Sequence, residues 1–563
     1  MGSDVAAQTA ASDPTELRGR TTPWGWPAAL LLAALILLGL WLRLRGLAAE
    51  GFADDEVHKW LAANRYLAGE FGGDDVEHPM LMKSLVALAT VALRGVLPPE
   101  ALTRLPSALA GGFTVWAIAM LGRRLFGRGA ALVAAALLAL SGTAVGYHRV
   151  GKEDMLLGLF FVLCLWCLCE AKAAADDGRT REQRRWELGS AVALGAAFAS
   201  KYFIFYFPIP VLSYLWLRPA SRWRVPLRRW LGLIVLALAV FLALNFTPLI
   251  PSTYSYLAHY IRGDVIGTDR GVSESLLFMG RLYGNLAVHG DATPWWFYLA
   301  FAGAKFTVPT AALIVAGLVL ALLRRAPAHR VLLIWIAIFH GFGLIAGAKY
   351  GRFFVSVMPA FLLLAADAAS RLARFLAARL ARGTPAGRTA PGGALALTTV
   401  GLLVAAPEAW AAATHAPHYR LYLNALAGGD GNVAWFLPHC DYFDAGVREA
   451  VAWVAAHAEP GAEVASEVDW TIRLYAQWDG RPDLVSSPIL PGRGCRSGEP
   501  CYVIVQPGRV YRHNQAALAH LAKRKPAHVE RIRGMDAVRV YRLAPGEMLF
   551  PPDAHVADTV GVW

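Results

Sequence analysis

The sequence predicts an α-helical polytopic membrane protein that ends in a small soluble α/β domain, and three observations carry that prediction. Of 563 residues, 56% are hydrophobic and only 17% are charged. The apolar residues gather in many runs near the ~20-residue length that spans a bilayer. From about residue 412 those runs give way to short strand-like and amphipathic segments.

In chain order, residues 1–22 are polar and rich in Ala, Ser and Thr, with Arg18 and Arg20 ahead of the first apolar run. They read as a disordered cytoplasmic tail. The first run is long enough to span and no small-residue cleavage site follows it, so a cleaved signal peptide is not expected. Spans are expected at 24–42, 104–122, 130–147, 155–170, 188–201, 203–217, 231–248, 296–323, 331–347, 353–370 and 394–411. Basic residues sit in the short loops between them, at Arg123, Arg124 and Arg128, in 172–185, 218–229 and 324–330, and in 371–388. Such loops face the cytoplasm. About eleven crossings starting inside then put the C-terminal region outside. Segment 80–97 is apolar but short, begins after His78-Pro79 and carries Lys83 and Arg94. It is expected to lie against the bundle without crossing. The domains are therefore a tail at 1–22, a membrane domain at 23–411 and an extracytoplasmic α/β domain at 412–563.

Within that last domain, 463–468 and 501–506 read as strands, 445–457 and 514–524 as amphipathic helices, and 527–543 as a strand pair about Gly534-Met535. Cys164, Cys167 and Cys169 share one apolar helix and read as packing residues. Cys440, Cys495 and Cys501 fall in the outward domain, where an oxidising compartment permits a Cys495–Cys501 bridge. No Cys/His spacing typical of zinc is present, so the sequence assigns no metal site and requires no cofactor. The formal charge of +13 resides mainly in the loops that orient the spans, which argues against a nucleic-acid partner.

Two ionisable clusters stand out against this apolar background: Asp54-Asp55-Glu56-Val57-His58-Lys59-Trp60 and Glu77-His78-Pro79-Met80-Leu81-Met82-Lys83. A charge beside hydrocarbon is expensive unless it is paired or functional. Asp55 and Glu56, at the start of a helix-like run on the outer surface, suit a general base and a second polar contact. Acidic residues at such a position also cap helices, and both readings stand on the residues alone.

The neighbouring motifs resemble those of the protein O-mannosyltransferases, integral-membrane glycosyltransferases of the C-type fold. Asp55-Glu56-Val57-His58 is similar to that family's Asp-Glu motif in the first outer loop. Glu77-His78-Pro79-Met80-Leu81-Met82-Lys83 is similar to its His-Pro-Pro-Leu-x-Lys motif, with Met80 where a second proline is expected. Arg149-Val150-Gly151-Lys152-Glu153-Asp154 resembles its Arg-rich turn ending in Asp. Ser200-Lys201-Tyr202 and Lys349-Tyr350-Gly351-Arg352 resemble further, shorter elements, and 418–429 a segment after the last span of bacterial members.

The resemblance implies transfer of a sugar, usually mannose, from a polyprenyl-phosphate carrier to a hydroxyl outside the membrane, with inversion. It implies Asp55 as base and Glu56 as an aid in holding the acceptor. Lys201, Arg149, Lys349 and Arg352 all reach the outer face in this topology and are candidates for the donor phosphate, because a phosphate leaving group calls for nearby cations. Snorkelling cations at helix ends are the alternative. Asp54, His58, His78, Lys83 and Asp154 are expected to support the site or touch acceptor. The implied partners are the lipid-linked sugar, the bilayer, and an exported protein carrying Ser or Thr, with an envelope lipid or glycan as the alternative acceptor. A transporter is the non-enzyme alternative, but no inverted repeat or pair of interrupted helices supports it.

Overall fold

The computed structural model describes residues 23–72, 75–217, 223–260, 276–284, 292–345, 349–381, 392–489 and 500–550. The N-terminal half runs α1 Trp26–Leu44, α2 Asp54–Leu67, α3 Met80–Leu93, α4 Pro99–Phe126, α5 Arg128–Leu140, α6 Gly142–His148, α7 Asp154–Asp176, α8 Thr180–Ser200, α9 Pro208–Leu217 and α10 Leu227–Leu244. Then come α11 Pro251–Tyr260, the hairpin β1 Leu276–Phe278 and β2 Arg281–Tyr283, α12 Phe297–Lys305, α13 Val308–Arg324, α14 Pro327–Ile345, α15 Gly351–Phe354, α16 Met358–Ala381 and α17 Gly392–His415.

Each expected span falls mostly on helix in its described residues, with breaks at 245–246 and 355–357. Among the described residues, six helices are long and apolar enough to cross a membrane, and a seventh counts if α5 and α6, bent by 61°, form one span. The bend falls at Ser141, whose hydroxyl accepts the Ala144 N–H and so starts α6 afresh. The expected continuous span 296–323 is instead divided into α12 and α13. Pro309 suits the first turn of α13, and Glu408 accepts the Thr307 N–H at 2.9 Å, capping the new helix from α17. Segment 80–93 is a short helix packed beside α2 and α4.

α1 shows how the bundle is held. Leu32, Leu35, Gly39 and Arg43 recur at helical spacing and are buried, while Leu31 and Leu37 face outward. Arg43 is fully buried at the far end of that stripe. Its guanidinium donates to the carbonyls of Gly39, Ala139 and Leu138 and to Nδ1 of His148, pinning α1 to the α5–α6 bend.

Beyond α17 the chain forms α18 Val433–Phe436, α19 Pro438–Tyr442, α20 Val447–His457, β3 Glu463–Ala465, α21 Asp469–Trp478, β4 Val485–Ser487, β5 Cys501–Val505, α22 Gln515–Leu521, β6 His528–Ile532 and β7 Met535–Leu543. The sheet order is β4-β3-β5-β7-β6, with β3 parallel to β4 and β5 and the β5–β7–β6 part antiparallel. The expected strands, strand pair and two helices are found here, whereas α21 and β4 were not anticipated. α21 carries Tyr475, whose hydroxyl accepts the Phe52 N–H at 2.6 Å and donates to Glu100 at 2.9 Å. This region is thereby joined to the loop that precedes α2. Cys495 lies outside the described residues.

Candidate active site

α2 begins at Asp54, and its first turn carries Asp54, Asp55 and Glu56. Successive helical residues point about 100° apart, so adjacent carboxylates cannot share an environment. Asp55 keeps 32% of its side chain exposed and stands between two cations, Lys152 Nζ at 3.2 Å from Oδ1 and Arg352 Nη1 at 3.2 Å from Oδ2. Burial works to raise its pKa, but Lys152 and then Arg352 outweigh burial and hold the carboxyl well below its usual range. Asp55 is therefore held as a carboxylate.

Glu56 does something different from what the resemblance implies. It is 1% exposed, and each of its oxygens meets two donors. Arg104 Nε and the Gly151 N–H reach Oε1 at 2.8 and 2.7 Å; Arg104 Nη2 and the Ala53 N–H reach Oε2 at 2.5 and 3.0 Å. A carboxylate so saturated has no lone pair to offer an acceptor. A side chain at Gly151 would come within 2.9 Å of Thr103, so glycine is what permits this approach.

The second cluster folds under α2. Lys59 donates to both oxygens of Asp75, at 2.7 and 2.8 Å, and lies 2.9 Å from Glu153. His78 Nδ1 is 3.0 Å from Asp75. Lys83 donates to the backbone carbonyls of Asp75 and His78, so it braces this loop and does not face a substrate. Asp75 is buried in strongly positive company, and Lys59, Lys83 and His78 together overcome burial to keep it ionised. Asp75, Glu77 and His78 bring ligand atoms within 4.8 Å of one another and could hold a divalent cation.

The four cations proposed for a phosphate separate into two kinds. Arg149 is spent on the carbonyls of Leu42, Arg43, Arg45 and Gly46, closing the C-terminus of α1. Lys349 is buried against the Thr293 carbonyl and hydroxyl at 2.7 and 3.0 Å, and burial lowers its pKa to about 8. Both expectations are corrected: these side chains satisfy backbone groups that helix and loop ends leave open. Lys201 and Arg352, by contrast, flank one ring, Phe353, at 4.2 and 5.5 Å from its centroid. Lys201 is paired with Asp154 at 2.5 Å, and Arg352 with Asp55. The structure thus brings Asp55, Lys152, Asp154, Lys201 and Arg352 together.

A polar pocket of about 130 Å³ opens beside Asp55, lined by Asp54, Asp55, Tyr350, Arg352, His439, Arg509 and Tyr511. Three of these come from beyond residue 412. Burial, then Arg509 and Arg352, push His439 down to about 3, so it is neutral. Asp54 is raised to about 6, chiefly by burial, despite Arg509. His58 points instead toward Trp470 of α21, with ring centroids 6.0 Å apart.

Lys152, Asp75, Arg104 and Arg509 are the residues that the motifs did not single out. Lys152 and Asp75 stood inside quoted or adjacent motif sequence, and charge in a loop between apolar runs was their signal. Arg104 lies inside an apolar helix, where an isolated Arg calls for a partner. Nothing local marks Arg509.

Residues 77–245 match the family model described as dolichyl-phosphate-mannose-protein mannosyltransferase. The chain is a glycosyltransferase. The matched part contains the Glu77–Lys83 motif, the Arg149–Asp154 turn and Lys201, while Asp55 precedes it. The fold is similar to that of ArnT from Cupriavidus metallidurans in the apo state, at 17% identity and a TM-score of 0.51 over 94% of this chain and 99% of that one. It is also similar to the oligosaccharyltransferase AglB from Archaeoglobus fulgidus, solved with an inhibitory peptide and a dolichol-phosphate. That match has 14% identity and a TM-score of 0.50 over 83% of this chain and 65% of that one. No curated protein matches the chain. The helical membrane architecture of this glycosyltransferase is therefore the C-type fold, followed by its small C-terminal sheet.

Proposed function

We propose that this enzyme moves a sugar, with mannose the first candidate, from a polyprenyl-phosphate carrier to a hydroxyl on the extracytoplasmic face. The preferred acceptor is a Ser or Thr of an exported protein, and residues 412–563 are read as an extracytoplasmic domain that helps to shape the acceptor side. The observation that carries this reading is the Asp55 carboxylate, held between Lys152 and Arg352 at the edge of a polar pocket.

In the proposed step the acceptor oxygen forms a bond to the anomeric carbon as the carbon–oxygen bond to phosphate breaks, with its electron pair leaving on the phosphate. The hydroxyl proton goes to Asp55. One displacement inverts the anomeric centre. Arg352 and Lys201 are suited to the phosphate oxygens, where negative charge develops. The cations that keep Asp55 ionised also weaken it as a base, because they stabilise the carboxylate. A donor phosphate that draws Arg352 away from Asp55 raises its basicity at the moment when it is needed.

The carrier also fits the surroundings. An apolar groove of about 280 Å³ runs between α7, α8, α9 and α10, lined by residues such as Leu168, Leu194, Phe198, Tyr202 and Phe241. It reaches Tyr202, the neighbour of Lys201, so a lipid tail in the groove would leave its phosphate near that cation. AglB, similar in fold, was solved with a dolichol-phosphate.

The test is single-turnover transfer from purified polyprenyl-phosphate mannose. Asp55→Asn keeps the shape of the side chain but cannot take the proton, so the rate should fall by about 10²–10⁴ with donor binding nearly unchanged. A wild-type rate in this variant would overturn the mechanism. Mass spectrometry of exported proteins and envelope lipids, with and without the enzyme, identifies the acceptor.

A further inference from the structure

The helix that carries Asp55 lacks its own N-terminal cap. Ala53 stands at the N-cap position and has no side chain that can accept a hydrogen bond. Glu56 reaches back to the Ala53 N–H, which is half of a capping box, but the Asp54 N–H is left for another partner. That partner lies 390 residues away: Asp444 Oδ2 accepts the Asp54 N–H at 3.0 Å.

Asp444 is itself built into place. It is buried, and its Oδ1 accepts from Gln506 Nε2 at 2.9 Å and from Arg509 Nε at 2.8 Å. Arg509 Nη2 reaches Oδ2 at 2.5 Å, so the guanidinium grips both oxygens. Arg509 extends further, to the Tyr511 hydroxyl at 3.1 Å and to within 4.0 Å of the Asp54 carboxylate. Phe443 and Asp444 both hold positive φ, at 46° and 61°, a conformation that residues with a Cβ adopt at a penalty. Such strain persists where surrounding contacts over-determine it, often at functional sites.

We infer that Asp444 and Arg509 are positioning residues for sugar transfer: they cap the N-terminus of α2 from the C-terminal region and so fix Asp55 against Lys152 and Arg352. The inference rests on the reading of Asp55 as base. Asp55 follows the capped residue directly, so a shift in the start of α2 moves its carboxylate relative to both cations. The negative charge of Asp444 also lies where the helix dipole favours an anion. In this arrangement the last part of the chain, beyond shaping the acceptor side, sets the geometry of the proposed base.

The test uses the full-length protein in detergent or nanodiscs and two measurements. Hydrogen–deuterium exchange over residues 50–60 reads the cap without reference to activity. Single-turnover transfer, with donor affinity measured separately, reads the consequence. Asp444→Ala should speed exchange at 54–57 while leaving β5 protected, and should lower the single-turnover rate by about tenfold to a hundredfold with donor affinity unchanged. Asp444→Asn keeps an oxygen for the Asp54 N–H and should recover part of both. Arg509→Gln should resemble Asp444→Ala, and it carries the same test if Asp444→Ala does not fold.

Wild-type exchange at 54–57 in Asp444→Ala or Arg509→Gln would overturn the cap. Faster exchange with an unchanged rate per folded molecule would overturn the positioning role. If the wild-type enzyme transfers no sugar from any polyprenyl phosphate, the functional reading and the positioning role fall together. Transfer by the wild type with unaltered variants sinks this inference alone.

Discussion

The two faces of α2 hold similar residues in opposite states. On the pocket side Asp54 and Asp55 are partly open, and Asp55 meets its cations at 3.2 Å. On the bundle side Glu56 and Lys59 are buried, and among the described residues the polar contacts that hold them are 3.0 Å or shorter. Saturated short contacts leave a charge nothing further to do, so the inner face anchors the helix. In the proposed mechanism, the looser contacts on the pocket side leave Asp55 able to exchange a partner for substrate. Proximity to the motif does not distinguish these residues; the number of donors each carboxylate already has does.

The sharpest way to break this contrast is to exchange the fates of Asp55 and Glu56. Glu56→Ala leaves the Arg104 guanidinium buried without its counter-charge, which should destabilise the fold by about 3–5 kcal/mol. Thermal unfolding of the purified protein measures it, and Asp55→Asn should leave that transition almost unmoved. Equal unfolding temperatures for Glu56→Ala and wild type would refute the anchoring role.

The same contrast applies to the cations. Removing one contact to a desolvated phosphate is worth roughly 2–4 kcal/mol. Arg352→Ala and Lys201→Ala should each weaken donor use on that scale. Arg149→Ala should leave the donor affinity of folded protein unchanged, because Arg149 meets only carbonyls among its hydrogen-bond partners in the described residues. Donor titration of the three variants decides, and a selective loss in Arg149→Ala would reverse the assignment.

The smallest expected effect concerns pH. Asp54, raised to about 6 mainly by burial, ionises as pH climbs through that value. Its new negative charge beside Asp55 makes Asp55 more basic, so transfer should rise modestly through pH about 6. Because its folded pKa lies above the unfolded value near 3.9, its contribution to folding diminishes as pH rises from about 4 to about 6. Asp54→Asn should flatten the rate profile there, and a break near 6 that survives in this variant would assign the titration elsewhere.

Read as sequence alone, the chain disclosed its membrane class, the approximate positions of its apolar helices and the two ionisable clusters that meet at α2. Those signals are local, since hydrophobic runs, turn residues and charges beside hydrocarbon need no knowledge of distant contacts. The sequence also disclosed β3, β5, the β6–β7 pair, α20 and α22 from the same local periodicity, but not α21 or β4. The resemblance implied Asp55 as base and Glu56 as an acceptor contact, but the sequence alone could not show that Glu56 is buried and saturated, because that depends on the phase of α2 against the bundle. Nor could it tell Arg149 and Lys349, which satisfy backbone carbonyls, from Lys201 and Arg352, which flank Phe353. The partners that decide these roles lie far along the chain: Arg104 is 48 residues from Glu56, and Asp444 is 390 from Asp54. Only the tertiary structure brings such groups within hydrogen-bonding distance, and a hydrogen bond weakens steeply when its atoms are not there.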